Sequence, residues 1–502
     1  MASLKPSLKL APITLLAFTL RDAQAATVTK NDTTSLLANA TNWSAAPNTT
    51  DTGSFTNTLS ATNAALLTLG GNISIGNLTF GTMNGPVVIT DSNTLTLNNA
   101  TPLTATSATH GITFNHAVTF SSTGTSTFET NNALPSASIT FNGTLNSNGK
   151  VYLRAGNAVF SGGGNYTSIG IGSRSGVTST IRIGANNGIS TSASFSLGEA
   201  NGTSRFDLAG YNQSLVGISK LNAGTTAIIG NSSTTSNSVL TLTGTSSYSG
   251  LIQDSIDSGT KNVGIVINGG SLTLSANNTY TGDTVIKAGA LKLDSAGNLQ
   301  GSKNVIIGDS GSSGTTLDVT TKTTGFTIGS SQTVGGIGHL DATGKTVTVS
   351  GKLAPGNSAG KLNVTTSGLT IGSGGILSLE LTRGVTPDGG VNYDQLGLTG
   401  ALTIDPAATL DLAALGTGAW NNNDIFFLIL NDGADAIAGS FAGFSEGSTF
   451  TLGSQSFKLT YQADSSSSSF AGGNDMAIQV VPESSHILIG SIGALLLLRR
   501  RR

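Results

Sequence analysis

Leu240-Thr241-Leu242-Thr243-Gly244, followed by Tyr248-Ser249-Gly250, returns as Leu272-Thr273-Leu274-Ser275-Ala276, followed by Tyr280-Thr281-Gly282. Leu240, Leu242, Tyr248 and Gly250 reappear at one common offset, as Leu272, Leu274, Tyr280 and Gly282. Apolar residues alternating with Thr or Ser are the period-two signature of a strand with one buried face. A short strand, a glycine turn and a fixed offset together predict a solenoid, whose coils stack about 4.8 Å apart and close each other's backbone hydrogen bonds.

The same texture extends outward in both directions. Asn77-Leu78-Thr79-Phe80, Leu95-Thr96-Leu97, Ile112-Thr113-Phe114, Val118-Thr119-Phe120, Ile139-Thr140-Phe141 and Thr180-Ile181-Arg182-Ile183 all alternate, and no long window carries a helical period. Composition agrees. The 502 residues include 67 glycines and no cysteine, with 10% charged and 5% aromatic residues. Hydrophobic residues at 37% are enough to build a core. Without cysteine, neither a disulfide framework nor a thiolate metal site is available. Inward Leu, Val, Ile and Phe are expected to form stacked rows, with Thr, Ser and Asn outside. The rival arrangement of the same strands is a set of tandem β-sandwiches.

The second copy, Gly270-Ser271-Leu272-Thr273-Leu274-Ser275-Ala276-Asn277-Asn278-Thr279-Tyr280-Thr281-Gly282-Asp283-Thr284-Val285-Ile286-Lys287-Ala288-Gly289-Ala290-Leu291, resembles the autotransporter-associated β-strand repeat along most of its length. The resemblance implies an all-β chain folded as a right-handed parallel β-helix at a bacterial surface. Leu272, Leu274, Val285, Ile286 and Leu291 would face inward, with Thr279 to Gly282 at a corner. Asn42-Trp43, Pro47, Asp51 and Phe55 look like the usual start of such a mature body. Gly351-Lys352-Leu353-Ala354-Pro355-Gly356-Asn357-Ser358-Ala359-Gly360 and Tyr393-Asp394-Gln395-Leu396 look like its C-terminal half. Two autotransporter features are not found: a large amphipathic C-terminal barrel and a terminal aromatic residue.

From residue 401 the texture changes. Asp424-Ile425-Phe426-Phe427-Leu428-Ile429-Leu430 is the most apolar strand, and Ser465 to Ser469 reads as a hairpin loop before Met476-Ala477-Ile478-Gln479-Val480. A small antiparallel β cap is expected, because an open last coil would invite edge-to-edge pairing. The expected organisation is a leader at 1–25, β-rich solenoid at 26–265, the repeat at 266–302, solenoid again at 303–400, the cap at 401–480 and a sorting segment at 481–502.

The two ends carry signals. Lys5 and Lys9 precede an apolar stretch from Leu10 to Leu20, and Ala23-Gln24-Ala25 is an A-x-A cleavage site, so a secretory signal peptide ending at Ala25 is predicted. At the other end, Val481-Pro482-Glu483 leads into an apolar run from Ile487 to Leu498 and then Arg499, Arg500, Arg501 and Arg502. Positive charge resists translocation, so the arginines should stay cytoplasmic. As a helix this run reaches only about 18 Å, against roughly 30 Å of hydrocarbon, which predicts a transient handle, removed by processing. The order of these parts resembles the PEP-CTERM sorting signal of Gram-negative bacteria, with Ser484 where a second proline usually stands. The resemblance implies an exosortase-type membrane protease as partner, beside the secretion machinery.

Catalytic motifs fail on context. Gly356-Asn357-Ser358-Ala359-Gly360 matches G-x-S-x-G, but that elbow needs a following helix. Lys361-Leu362-Asn363-Val364-Thr365 reads as a strand instead. Gly308-Asp309-Ser310-Gly311 lies in a Ser- and Gly-rich turn. His110 and His116 have no neighbouring carboxylate to complete a metal site. Asp254 and Asp257, or Asp405 and Asp411, are too scattered to define the groove of a polysaccharide lyase or hydrolase, the principal enzymatic alternative. The net charge of −2 includes basic residues at both ends, so the body is mildly acidic and has no basic stripe for nucleic acid. The expectation is an exported, non-enzymatic surface or extracellular-matrix protein of structural or adhesive role, without cofactor or metal, meeting exopolysaccharide or neighbouring cells.

Overall fold

Val28, Gly53, Leu78, Leu103, Phe128 and Leu153 lie one above another, at a constant step along the chain. This column belongs to a computed structural model of the chain, which describes residues 25–31, 42–131, 134 and 137–482. Every pairing in the column is parallel. Each coil therefore returns to its starting face one strand higher, and the coil itself serves as the crossover that parallel strands need. The chain is a three-sided parallel β-helix, and the parallel ladders exclude tandem sandwiches.

The first face begins with Thr27–Thr29, Thr52–Phe55, Asn77–Phe80, Leu103–Ala105, Thr125–Thr130 and Lys150–Ala155. The second begins with Val87–Ile89, Ile112–Phe114, Ile139–Phe141 and Asn157–Phe160, and runs on to Leu251–Ser255. The third contains Ile73–Ile75, Leu95–Leu97, Val118–Phe120 and Leu145–Ser147. The coil length then varies. A short coil carries Val151 to Ile169 one rung up, and a much longer one carries Val364 to Leu398. Among the described residues the one α-helix is Ala61–Ala64.

Alternation builds the core. Phe55 stacks on Phe80 with ring centroids 4.8 Å apart, and Phe114, Phe141 and Phe160 stack at 5.6 and 5.3 Å. All of these rings are buried. In-register ladders place like side chains over like at about the strand spacing, and each ring contributes about 1.5–3 kcal/mol by burial.

The recurrence that carries Leu240 to Leu272 is not the coil. Leu240 stacks on Ile265, and Leu272 stacks on Ser246 below and Leu291 above. Leu240 and Leu272 therefore lie on different faces. From Val263 onward single strands serve two faces. Val263–Leu274, Thr284–Leu293 and Gln395–Ile404 each turn a corner at a glycine of positive φ: Gly270 (56°), Gly289 (82°) and Gly400 (117°). A Cβ on Gly270 would strike the backbone of Gly244, and one on Gly289 would strike the carbonyl of Gly270. The corner is closed because these positions have no side chain.

One inward assignment is corrected. Ile286 is buried, but Val285 is only half-buried and Thr284 takes the inward place. Successive residues of a strand point to opposite faces, so Val285 and Ile286 could not both face the core. The buried Thr284 hydroxyl is satisfied by the Tyr280 hydroxyl at 2.8 Å and by Ser302 at 3.0 Å.

Parallel stacking ends in an antiparallel unit. Ile425–Asn431 pairs in parallel with the last long coil strand through Ile429 and in antiparallel with Asp475–Val480. Gln455–Ala463 and Thr449–Leu452 complete the sheet. The serine run closes the turn between the two long cap strands, bracketed by the Asp464–Ser469 bridge. Trp420 packs edge-on against Phe426 and Phe457 at the joint.

Candidate functional site

The terminal signals are described only at their inner margins. Ala25 is exposed at the start of the first rung. Val481 is half-buried; its N–H donates to the Ser456 carbonyl at 2.9 Å, and its own carbonyl accepts from the Gln455 side chain at 2.7 Å. Pro482 is exposed. Ala23, Glu483, Arg499, Arg500, Arg501 and Arg502 lie outside the described residues. Among the described residues no helix is long and apolar enough to cross a membrane.

Two segments singled out in the sequence meet at the joint between solenoid and cap. The buried Asp394 accepts the Gly360 N–H on Oδ1 at 3.1 Å and the Glu380 N–H on Oδ2 at 2.8 Å. A Cβ on Gly356 would collide with the same carboxylate. The G-x-S-x-G stretch is thus a turn folded around Asp394, followed by the strand Lys361–Ile371 as its residues required. Ser358 is exposed at φ 78°. On either side of Asp394, Tyr393 and Gln395 hold the first cap strand. The Phe427 N–H donates to the Tyr393 hydroxyl at 3.1 Å, and the Gln395 amide donates to the Phe427 carbonyl at 2.9 Å. Burial pushes the Asp394 carboxyl up to about 7 and the Tyr393 phenol up to about 12. A cleft of about 600 Å³ opens beside the joint, lined by Pro387, Tyr393, Gln395, Asp424, Phe427 and Ser466.

The second concentration of polar chemistry lies on the first and second faces between positions 129 and 257. Arg154 forks onto the buried Glu129 through Nε at 3.0 Å and Nη2 at 2.9 Å, and Arg174 adds Nη2 at 3.1 Å. Burial works against the Glu129 carboxylate, but the two guanidinium groups outweigh it and hold the group below the usual carboxylate range. Lys150 pairs with Glu199 and sits 5.4 Å from the Tyr152 ring centroid. Arg182 donates to the fully buried Asp207 at 2.6 Å, and Arg205 to Asp257 at 2.8 Å. A groove of about 590 Å³ runs over the second face here, lined by Asn157, Val159, Thr178, Arg182, Arg205 and Asp257. Sequence reasoning missed this patch. Its signal is present, since Glu129 and Arg154, and likewise Arg182 and Asp207, are opposite charges one coil apart.

The remaining candidate residues are taken up by the fold. Asp254 accepts the N–H groups of Val263 and Thr281 at 2.9 Å each, plus the Thr281 hydroxyl at 2.6 Å, which fixes the corner of the repeat. Asp405 accepts the Ala407 N–H at 2.8 Å in a turn, and Asp411 accepts from Ser378 at 2.9 Å and Lys352 at 3.3 Å. Asp309 closes on Ser312 at 2.6 Å. His110 contacts Thr109 at 3.0 Å, and His116 donates Nδ1–H to the Ala117 carbonyl at 2.9 Å. Burial lowers the affinity of His116 for a proton. Among the described residues no group of three or more His, Asp or Glu is placed to hold a metal ion.

Residues 265–293 match the family described as the passenger-associated-transport-repeat. The match covers most of the two long strands Val263–Leu274 and Thr284–Leu293 and the corner that Asp254 fixes. It associates the solenoid with exported, passenger-type proteins of autotransporters. No curated protein matches the chain.

Proposed function

We propose that this chain is an exported, non-enzymatic surface protein whose β-helix serves as a rigid spacer and contact surface in the outer envelope or extracellular matrix. The observation that carries the proposal is the ladder itself. Among the described residues, parallel rungs run from Thr27 to Leu415, and one segment of them matches a passenger repeat. A column of that kind presents long, repetitive rows of Thr, Ser and Asn, suited to repetitive polymers such as exopolysaccharide or to neighbouring cell surfaces. In this reading the secretion machinery removes the leader after Ala25. The apolar run then holds the chain briefly in the inner membrane, and an exosortase-type protease releases it near Val481-Pro482-Glu483.

The absence of catalysis is part of the proposal. Asp254, Asp257, Asp405 and Asp411 each have a structural partner, and His339 contacts Thr365 at 2.9 Å instead of approaching Ser358 as a base. The intact mass of the protein recovered from the cell surface tests the sorting. A mass equal to a chain from Ala26 to the neighbourhood of Pro482 is expected, and retention of Arg499 to Arg502 would refute processing. Turnover of an acidic polysaccharide above background, abolished by Asp257→Ala, would establish the enzymatic alternative.

A further inference from the structure

The first rung holds a charge arrangement that the leader's removal would complete. Ala26 donates its backbone N–H to Oδ1 of Asp51 at 2.9 Å, and its carbonyl accepts the Thr52 N–H at 2.8 Å. Asp51 is fully buried. Its Oδ2 accepts the Asn48 N–H at 2.9 Å, and its own carbonyl accepts from Gly76 at 2.9 Å and Asn77 at 3.3 Å on the next coil. Among the described residues no Lys or Arg forms an ion pair with Asp51; Lys30, at the far end of the strand, places Nζ on the Asn31 carbonyl at 2.8 Å. A buried carboxylate held only by amide donors is costly, because its charge has lost water without gaining a counter-charge.

We infer that cleavage between Ala25 and Ala26 supplies that counter-charge, so that the new α-ammonium of Ala26 pairs with Asp51 and locks the first rung of the helix. Hydrolysis of the Ala25–Ala26 amide consumes one water. It leaves a carboxylate on Ala25 and an amine on Ala26, which takes up a proton at neutral pH because an α-amine ordinarily titrates near about 7.8. The nitrogen already lies at hydrogen-bond distance from Oδ1, so the neutral bond becomes charge-assisted without displacement of the rung. The other edge of this strand is covered at Thr29 and Asn31 by hydrogen bonds with Ser44 and Asn42, but among the described residues nothing pairs with it at Ala26 and Thr27, so that end of the rung is the part most exposed to fraying. Processing and the fastening of the Ala26 end are then one event. The precursor keeps a loose first rung while it is being exported, and the mature protein has a pinned one.

The inference rests on the exported reading, since it needs a cleaved leader, and the two are tested separately. N-terminal sequencing of the exported protein is expected to begin at Ala26; any other first residue overturns the inference at the processing step. Independently, three recombinant forms of the remaining chain are compared by hydrogen exchange with mass spectrometry: one beginning at Ala26, one beginning at Ala25, and the first with its α-amine acetylated. The Thr52 and Lys30 amides, bonded to the Ala26 and Ser54 carbonyls, report on the rung. They should exchange about tenfold more slowly in the Ala26 form than in the other two. Asp51→Asn in both the Ala26 and Ala25 backgrounds should abolish the difference. Equal exchange in all three forms, or a difference that survives Asp51→Asn, overturns the lock and leaves the export reading intact.

Discussion

Tyr248 and Tyr280 occupy corresponding places in the recurring segment, and both are buried to within 1% exposure. Their hydroxyls are treated differently. Tyr280 meets Thr284 at 2.8 Å, whereas the Tyr248 hydroxyl has no partner among the described residues. Burial pushes both phenols far above their ordinary range, so neither ionises in the folded protein. An unsatisfied buried hydroxyl carries a desolvation cost that a satisfied one recovers. Tyr280→Phe should therefore cost about 1 kcal/mol, and Tyr248→Phe should be neutral or slightly stabilising. Chemical denaturation of the two variants, read as midpoints at unchanged slope, checks the difference in sign. The glycine that follows Tyr248 and Ser249 has a reason at this scale too, because a Cβ on Gly250 would meet the Tyr248 ring.

At the scale of elements, the joint between solenoid and cap depends on a protonation state. Burial raises the Asp394 carboxyl to about 7, the Glu380 and Gly360 N–H groups pull it down, and the Glu380 charge pushes it up again. The folded state therefore holds a proton that the unfolded chain releases near its ordinary value of 3.8. The stabilising contribution is complete below that point and is lost as the pH rises through about 7. Detachment of the cap, followed by exchange of the Ile425–Asn431 amides, should become easier across that window. Asp394→Asn should flatten that dependence. It should also cost about 1–2 kcal/mol at low pH, because an amide can accept at only one of the two N–H groups. The Tyr-Asp-Gln-Leu segment was conspicuous in the sequence, but its work was not visible there. Tyr393 and Gln395 both reach Phe427, and Asp394 reaches Gly360 and Glu380, all far from them along the chain.

For the whole molecule, stability is a sum over coils and the contacts between neighbours. The constant step from Val28 to Leu153 makes positions one coil apart equivalent. Deleting the stretch from Thr79 to Leu103 should join Leu78 to Thr104 with the pleat in phase and leave a folded, shorter helix. Ending the deletion at Pro102 instead should place one residue out of phase, turning inward side chains outward. Far-UV circular dichroism and thermal unfolding distinguish the outcomes, with the in-phase deletion expected to keep a cooperative β transition and the other to lose it in this region. The stacked phenylalanines make this region sensitive, since Phe114, Phe141 and Phe160 sit on successive coils.

The sequence by itself determined the strand texture, the inward rows, the solenoid class and the antiparallel cap. Alternation is a local property, and a strand with one apolar face has few ways to bury it. The tertiary structure alone decided the coil length. The return of Leu240 as Leu272 stood out because it repeats residue identities. At Leu240 the true step repeats only an environment, so its stacking on Ile265 leaves no letter-for-letter trace, and where letters do return in register, as Ile112-Thr113-Phe114 does in Ile139-Thr140-Phe141, the triplet is too short to stand out among the other alternating strands. Only the folded coils bring Glu129 to Arg154 and Arg174, or close the Gly356–Gly360 turn on Asp394, because those contacts run across the stack rather than along the chain.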